Sequence, residues 1–293
     1  MYNRAEFINS TIKSVENQRI KEIEIIIIDD ASNDNSVSYV EEARKIDPRI
    51  FLLKNYKKKG TLFSKSIGVL YAKGKYILSL DSDDMIGILD YIEFLFKKAN
   101  KNNYDFVLCK YVEVDLRKKT IKLQNISEVY LWSKLIKREI YKKILHKIGN
   151  KILNRGIIQL DDNFIYFLSK NQNYKEYYSN LFGIIHFLHY KNQQWDNKYS
   201  NNKLKHKFCK NVINSISALY DVAYNKRDSK IYSFNKFKIL FISNGCYKDL
   251  NINYTIKMNI INKFYFSPFL NKKEKKLIEN IKEKIFNITY KQL

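Results

Sequence analysis

The sequence predicts an α/β protein with a mostly parallel, doubly wound sheet between helices, followed by a helical C-terminal extension. Up to about residue 115, short and continuously apolar runs alternate with stretches whose apolar residues recur at helical spacing. Strands that are buried on both faces of a parallel sheet have such continuous apolar runs. Beyond about residue 200, apolar residues recur at helical spacing among dense lysines.

The elements of the first 115 residues follow one another as βα units. Strands are predicted over 23–28, 50–53, 76–80 and 106–109. Helices are predicted over 7–15, 37–43, 63–71 and 88–99. This alternation implies a doubly wound α/β layer.

After residue 125 the pattern changes. The apolar residues Trp132, Leu135, Ile136 and Ile140 fall at helical spacing, and a further helix is predicted to start near Asp161. The aromatic segment 177–190 is predicted to be extended.

The composition limits the class of protein and its partners. Hydrophobic residues make up 45% of the 293 residues, which argues against disorder. The formal net charge of +23 predicts an anionic partner such as phospholipid head groups, nucleic acid or nucleotide phosphates. The alternative is an AT-rich coding bias, which also yields a chain rich in Lys, Asn, Ile and Tyr.

Cysteine usage and apolar run length indicate the compartment. The three cysteines, Cys109, Cys209 and Cys246, form no CxxC pair, and an odd number leaves one unpaired in any disulfide scheme. No apolar run approaches the roughly 20 residues that span a bilayer, and the first residues do not resemble a signal peptide. We therefore expect a protein of a reducing cytoplasm, or one held peripherally at the cytosolic face of a membrane.

Two predicted strands run directly into acidic clusters. The clusters are Asp29 with Asp30, and Asp81 with Asp83 and Asp84. Ligands bind outside the carboxyl ends of strands in an open α/β sheet, so we expect both clusters to face one crevice. Converging carboxylates repel one another, and a hard divalent cation shared with substrate phosphates relieves the repulsion. For Asp81, Asp83 and Asp84, the alternative is that these aspartates cap the following helix.

The run IEIIIIDDASND and the later run KGTLFSKSIGVLYAKGKYILSLDSDD together resemble the core of glycosyltransferase family 2. In that family a DD-G-S motif, a G-(x)4-R-N-x-G segment and a D-x-D-D motif follow in this order. The resemblance extends over residues 2 to about 190. It implies the GT-A fold, an inverting transfer from a nucleotide-sugar donor, expected to be a UDP-sugar, and a Mn²⁺ or Mg²⁺ cofactor.

The resemblance assigns roles to the acidic clusters. Tyr2 would stack on the nucleotide base and Asp30 would accept a hydrogen bond from it, with Asp29 in the same nucleotide site. Asp81 and Asp83 would hold the ribose and the metal that bridges the diphosphate. Asp84 is an alternative metal ligand.

The Arg-Asn pair of the family is replaced here by Lys65 and Ser66. The change keeps a cation for nucleotide binding but loses the planar guanidinium fork. The alternative for Lys65 is a solvated helix residue.

A carboxylate must take the proton of the acceptor hydroxyl during inverting transfer. The family has an E-D pair for this purpose, and Asp161 and Asp162 stand in its place, with Asp162 predicted as the base. The alternative is a carboxylate stabilised by the N-terminus of a helix. His186 and His189 lie in the aromatic stretch, where a histidine is more often packed than metal-binding.

The resemblance also divides the chain. Residues 1–125 form the nucleotide-sugar-binding half of the GT-A domain, 126–200 its acceptor-binding and catalytic-base half, and 201–293 a helical extension. The lysines of that extension predict contact with an anionic membrane or a partner, or else a solvated cap over the sheet. Family members begin with an apolar strand just before the Tyr-Asn pair, where this chain has Met1. We therefore expect the first strand to be missing, through a misassigned start or a truncation.

Three functions follow. The first is a glycosyltransferase acting on a glycan or lipid-linked acceptor in polysaccharide, glycolipid or glycoprotein synthesis. The second is an inactive, truncated relative that serves as a binding module. The third is a nucleic-acid-binding protein, but no recognisable nucleic-acid motif is present, so no nucleic acid partner is expected.

Overall fold

The structure, a computed structural model, describes residues 1–127, 130–157 and 172–189, and the single positions 162, 165, 168, 169, 211, 214, 215, 218, 221, 276 and 279. The chain forms two units, Met1–Gly156 with Asp161–Asn192 and Ile157–Leu160 with Gln193–Leu293. All elements described below belong to the first unit. The extension predicted over 201–293 lies outside the described residues apart from the single positions.

Helices and strands alternate in the first hundred residues. They are α1 (Ile8–Glu16), β1 (Ile25–Asp29), α2 (Ser36–Ile46), β2 (Ile50–Lys54), α3 (Thr61–Tyr71), β3 (Tyr76–Leu78), β4 (Met85–Ile86) and α4 (Tyr91–Asn102). The elements that follow are β5 (Phe106–Asp115), β6 (Thr120–Gln124), β7 (Lys134–Lys137), α5 (Arg138–Ile148), α6 (Asn150–Leu153) and β8 (Glu176–Leu188). Within these residues no helix is both long and apolar enough to cross a membrane.

The described strands form two sheets. Strands β1 and β2 pair in parallel, and the second sheet has the order β3-β7-β5-β8-β4, with β6 paired to β5. In the second sheet only β5 and β8 are parallel, and the other pairings are antiparallel. The described strands therefore correct the prediction of a mostly parallel sheet. Continuous apolar runs report burial on both faces, and burial does not fix strand direction.

The four predicted helices of the first hundred residues are confirmed, and so is the extended segment near residue 177. The helix predicted from Trp132 to Ile140 is partly wrong, because 134–137 form β7 and α5 begins only at Arg138. Leu135 and Ile136 are both buried, since β7 lies between β3 and β5 and is covered on both faces. Two adjacent buried residues also suit a helix, so spacing alone did not separate the two structures.

Met1 lies beside β1 at the edge opposite β2. Its amino group donates a hydrogen bond to the Ile28 carbonyl at 2.5 Å, and its carbonyl accepts one from the Asp30 amide at 2.8 Å. These contacts hold the Tyr2 region against the carboxyl end of β1. The expected absence of a first strand concerns residues before Met1 and stays a prediction.

The core beneath the second sheet is formed by α4 and by the inward faces of β5 and β8. It includes the fully buried side chains of Tyr91, Leu95 and Ile184. Strand β8 approaches α4 so closely that a Cβ added at Gly183 would lie 1.9 Å from the Tyr91 ring. Only glycine fits where β8 crosses α4, because any side chain would force the strand away from the helix.

We predict that Gly183→Ala destabilises the first unit by about 1–3 kcal/mol, because the added methyl overpacks a buried ring with no room to move. Denaturant unfolding followed by circular dichroism measures the change. Gly68→Ala is the matched control, since its Cβ would meet Ile28 at an ordinary 3.5 Å and alanine favours the helix. A loss as large in the control would contradict the steric explanation.

Candidate active site

The carboxylate of Asp30 organises the loop that leads into α3. It accepts hydrogen bonds from the Asn55 side-chain amide at 2.9 Å, the Lys59 amide at 2.7 Å and the Gly60 amide at 2.9 Å. Gly60 has φ +95°, a region that favours glycine, so its amide can turn toward the carboxylate. Asp30 is buried and therefore fixes the loop 55–60 beside the end of β1.

The other predicted nucleotide-site residues of the first cluster lie around this loop. Lys58, in the same loop, places its amine 3.3 Å from the centroid of the Tyr2 ring, which is a close cation–π contact. The Asp29 carboxylate accepts hydrogen bonds from the Ser32 amide and shapes the turn after β1. Tyr2, Asp29 and Asp30 are thus brought together at one end of β1.

The three aspartates of the acidic segment 81–84, which follows β3, become progressively more buried along the chain. The side chain of Asp81 is 38% exposed, that of Asp83 12% and that of Asp84 0%. The exposure falls along the segment because its chain turns into β4, which lies against β8. Asp81 is therefore the carboxylate best placed to meet a ligand from solvent.

Asp83 is held between two basic side chains. Its Oδ2 lies 3.1 Å from Arg4 Nε and 3.2 Å from His189 Nε2. Burial disfavours the ionised carboxyl, but the hydrogen bond from His189 and the charge of Arg4 outweigh burial and lower the pKa of Asp83. Asp83 is therefore ionised, and its carboxylate oxygens are hard ligands for a cation.

Asp84 has a different environment from its neighbours. Its carboxylate lies 2.9 Å from His186 Nδ1 and accepts a hydrogen bond from the Phe187 amide at 3.1 Å. Burial raises the pKa of Asp84 to about 6 against the opposing effect of His186. These contacts tie the acidic segment to β8, and metal ligation by Asp84 stays a prediction.

Lys65 joins the acidic segment to the predicted base. Its amine lies 3.1 Å from Asp162 Oδ1 and 3.4 Å from Asp81 Oδ1. The second oxygen of Asp162 accepts a hydrogen bond from the Leu131 amide at 3.3 Å. Lys65 is only 21% exposed, so it is not the solvated helix residue of the alternative interpretation. The partner predicted with Asp162, Asp161, lies outside the described residues.

Aromatic rings stack beside the two histidines. Trp132 stacks on His186 with ring centroids 4.9 Å apart and on Tyr130 at 5.0 Å, and Phe7 stacks on His189 at 4.2 Å. These contacts restrict the orientation of both imidazoles toward the carboxylates. Sequence reasoning expected packed histidines, but it missed their carboxylate partners.

Arg4 was also missed. It precedes α1, and its partner Asp83 stands 79 positions later. No local pattern marks such a pair, because a single arginine before a helix has many possible partners.

The described residues contain no group of three or more His, Cys, Asp or Glu side chains that could hold a metal ion by themselves. Asp81 and Asp83 nevertheless fit a hard divalent cation that takes one or two carboxylates and completes its coordination with phosphate oxygens and water. Such a site gains most of its ligands from the substrate. The residues present therefore fit a Mn²⁺ or Mg²⁺ ion bound together with a diphosphate.

Residues 1–159, more than half of the chain, match the sequence pattern of the family described as Glycosyl transferase family 2. The chain belongs to glycosyl transferase family 2. Among curated proteins, it is 34% identical over 117 residues to an uncharacterized glycosyltransferase of Haemophilus influenzae, a match that covers 40% of this chain and 36% of that protein. Over 102 residues it is 38% identical to the GalNAc(5)-diNAcBac-PP-undecaprenol beta-1,3-glucosyltransferase of Campylobacter jejuni, covering 34% and 32%. The match thus spans about a third of these relatives' length.

Solved structures confirm the GT-A fold. S. aureus TarS 1-349 in complex with UDP-GlcNAc gives a TM-score of 0.64 at 14% identity, covering 100% of this chain and 90% of that one. The mannosyltransferase PcManGT of Pyrobaculum calidifontis, in complex with GDP-Man and Mn²⁺, gives 0.52 at 10% identity, covering 99% and 84%. At these identities the likeness establishes the fold, while the site residues rest on the geometry described above.

The contact between Asp84 and His186 leads to a pH prediction. Burial disfavours the protonated imidazole of His186. The hydrogen bond and the charge of Asp84 outweigh burial and raise the pKa of His186 above its ordinary value. The protonated imidazole paired with the Asp84 carboxylate therefore stabilises the fold, and this contribution is lost as the pH rises through the raised pKa of His186 or falls through the pKa of Asp84 at about 6. We expect NMR titration to place the pKa of His186 above about 6.5 and to move it downward in Asp84→Asn.

Asp90→Asn is the control, since Asp90 is an exposed carboxylate paired with Arg19. The His186 resonance is assigned by its loss in His186→Gln. An unchanged titration of His186 in Asp84→Asn would show that Asp84 does not set it.

Proposed function

We propose that this chain transfers a sugar from a nucleotide-sugar donor to an acceptor hydroxyl, with inversion at the anomeric carbon. The observation that carries the proposal is the position of Lys65 between Asp81 and Asp162. It draws the predicted base and the donor-site carboxylate to one amine, although Lys65 and Asp162 stand 97 positions apart in the chain. A base near the donor site is the arrangement that inverting transfer requires.

The donor is proposed to be a UDP-sugar. Tyr2 offers a ring for the base, and the loop fixed by Asp30 closes one side of that position. We assign the Lys58 amine, which lies against the Tyr2 ring, to the phosphates of the nucleotide and the partly exposed carboxylate of Asp81 to its ribose. The solved structure of TarS with UDP-GlcNAc, which shares the fold, supports this choice of donor class.

In the proposed reaction, Asp162 accepts the proton of the acceptor hydroxyl as that oxygen attacks the anomeric carbon. The bond between this carbon and the diphosphate oxygen breaks, and its electron pair leaves with the nucleoside diphosphate. Lys65 keeps Asp162 ionised and oriented before the acceptor binds, because a neighbouring ammonium favours the charged carboxylate. Asp83 and Asp81 would hold a divalent ion, which when bound neutralises charge on the leaving diphosphate.

The acceptor is proposed to be a glycan or a lipid-linked sugar, and the chain is proposed to work peripherally at the cytosolic face of a membrane. The relative in Campylobacter jejuni carries an undecaprenol-linked substrate in its name, which supports this acceptor class. The lysine-rich region 201–293, predicted to contact an anionic membrane, lies outside the described residues apart from single positions and stays a prediction.

UDP should bind only in the presence of Mn²⁺ or Mg²⁺, because the carboxylates of the crevice and the diphosphate otherwise repel each other. Isothermal titration calorimetry of UDP with Mn²⁺, and again with EDTA, measures this. Asp83→Ala should abolish the metal-dependent heat, whereas Asp90→Ala, which removes an exposed carboxylate elsewhere, should not. Equal affinity for UDP in EDTA contradicts the metal bridge.

Asp162→Asn should lower kcat by about 10²- to 10⁴-fold with little change in UDP affinity, because the amide keeps the shape but takes no proton. The assay is UDP release from a panel of UDP-sugars offered with soluble and lipid-linked sugar acceptors.

Asp161→Asn is the control for Asp162→Asn and should turn over nearly normally. Lys65→Arg keeps a cation between the carboxylates and should retain most of the activity. Near-normal turnover by Asp162→Asn would refute the assignment of the base. Metal-dependent UDP binding by a wild-type chain that transfers no sugar to any acceptor would instead favour the inactive binding module.

A further inference from the structure

We propose that the hairpin formed by β5 and β6 is a membrane-contact surface that binds anionic phospholipid. The hairpin surface consists of the end of β5, the turn 116–119 and β6. It lies outside the donor site and within the part of the chain that the structure describes. The proposal deepens the proposed peripheral location and does not require the transferase activity.

Three large aliphatic side chains of the hairpin surface point into solvent. Ile121 is 72% exposed, Leu123 70% and Leu116 46%. Ile121 and Leu123 lie on one face of β6, since alternate residues of a strand share a face. The register sets Ile121 opposite Val114 and Leu123 opposite Val112, so the apolar face continues across both strands.

The turn and β6 of the same hairpin are basic. Residues 116–124 contain Arg117, Lys118, Lys119 and Lys122 and no acidic residue. The Asp115 carboxylate lies 3.0 Å from Arg117 Nε and 3.9 Å from Lys118 Nζ, and the side chain of Lys118 is nevertheless 74% exposed. Exposed aliphatic side chains beside a cationic turn match the boundary between acyl chains and anionic head groups.

Protection of a sheet edge and binding of nucleic acid each account for only part of the hairpin surface. Lysines on an edge strand discourage unwanted strand pairing, and β6 pairs only with β5 among the described strands. Edge protection accounts for the lysines but not for two aliphatic side chains about 70% exposed. A nucleic acid would use the lysines but would leave the same aliphatic side chains in water.

The hairpin is attached directly to the candidate active site. The Leu116 amide donates to the Leu188 carbonyl at 2.9 Å, and Leu188 immediately precedes His189, the partner of Asp83. Glu113 of β5 is opposite His186 of β8. The hairpin surface is therefore attached through backbone hydrogen bonds to the strand that carries His186 and ends just before His189.

The test is sedimentation of the full chain with vesicles of phosphatidylglycerol and phosphatidylcholine, and with phosphatidylcholine alone. The wild type should pellet with the anionic vesicles and be released at high salt. Ile121→Ser with Leu123→Ser should weaken binding at least tenfold, since each buried CH₂ contributes to the partition. Lys118→Glu with Lys119→Glu should weaken it about 25-fold or more, because each basic residue near the surface contributes about fivefold and each added carboxylate is repelled by the anionic lipid.

The matched control is Lys45→Glu with Ile46→Ser, which removes an exposed lysine and an 84% exposed isoleucine from the end of α2. It should bind vesicles like the wild type. Folding of every variant is checked by circular dichroism, and metal-dependent UDP binding shows whether the donor site is intact.

Several outcomes would overturn the proposal. Wild-type binding by both hairpin variants would place the membrane contact elsewhere in the chain, whereas no binding by the wild type would reject the peripheral location as well.

A change of oligomeric state in the serine variant without lipid, measured by analytical ultracentrifugation, would assign the surface to a second copy. If an oligonucleotide that carries the same total charge as the anionic lipid displaces the chain from the vesicles and fails to bind the serine variant, that result would assign the hairpin surface to nucleic acid. Failure of UDP binding with vesicle binding intact would reject the proposed function and leave this surface standing.

Discussion

The structure of the first unit depends on the neutralisation of carboxylates that follow β3. Three aspartates within four positions repel one another, and this repulsion grows as they leave water. A basic side chain from a different element lies against each of them: Lys65 at Asp81, Arg4 at Asp83 and His186 at Asp84. The acidic segment is therefore stable only when α3, the N-terminal segment and β8 are all in place, which couples the fold to the site.

This coupling separates the carboxylates by role. Asp84 is buried and bonded to His186 and the Phe187 amide, so it anchors the segment to β8. Asp81 is the most exposed of the three and shares Lys65 with Asp162. One short motif therefore contains both a buried carboxylate that fixes its backbone and a more exposed carboxylate that can contact a ligand. A divalent ion or a phosphate that enters would compete for groups that already have partners.

Strand β8 links the site to the rest of the sheet. It pairs with β5 over its length, passes α4 at Gly183 with no space for a side chain, and ends just before His189. His186 of β8 and His189, which follows the strand, contact Asp84 and Asp83 of the acidic segment. Because the β5–β6 hairpin is attached to the end of the same strand, the site and the most exposed apolar surface of the sheet are joined through one continuous set of backbone hydrogen bonds.

The family, the four helices of the first hundred residues and the acidic clusters at the ends of β1 and β3 could all be predicted from the order of the amino acids. These features are local: hydrophobic spacing sets a helix or a strand, and a motif consists of residues close together in the chain. Three features could not be predicted before the fold was known: β7 is a strand, most pairings in the second sheet are antiparallel, and the aspartates pair with Arg4, Lys65 and His186. Strand direction and ion pairs between distant residues depend on which elements pack together, and no pattern in a short window of sequence contains that information.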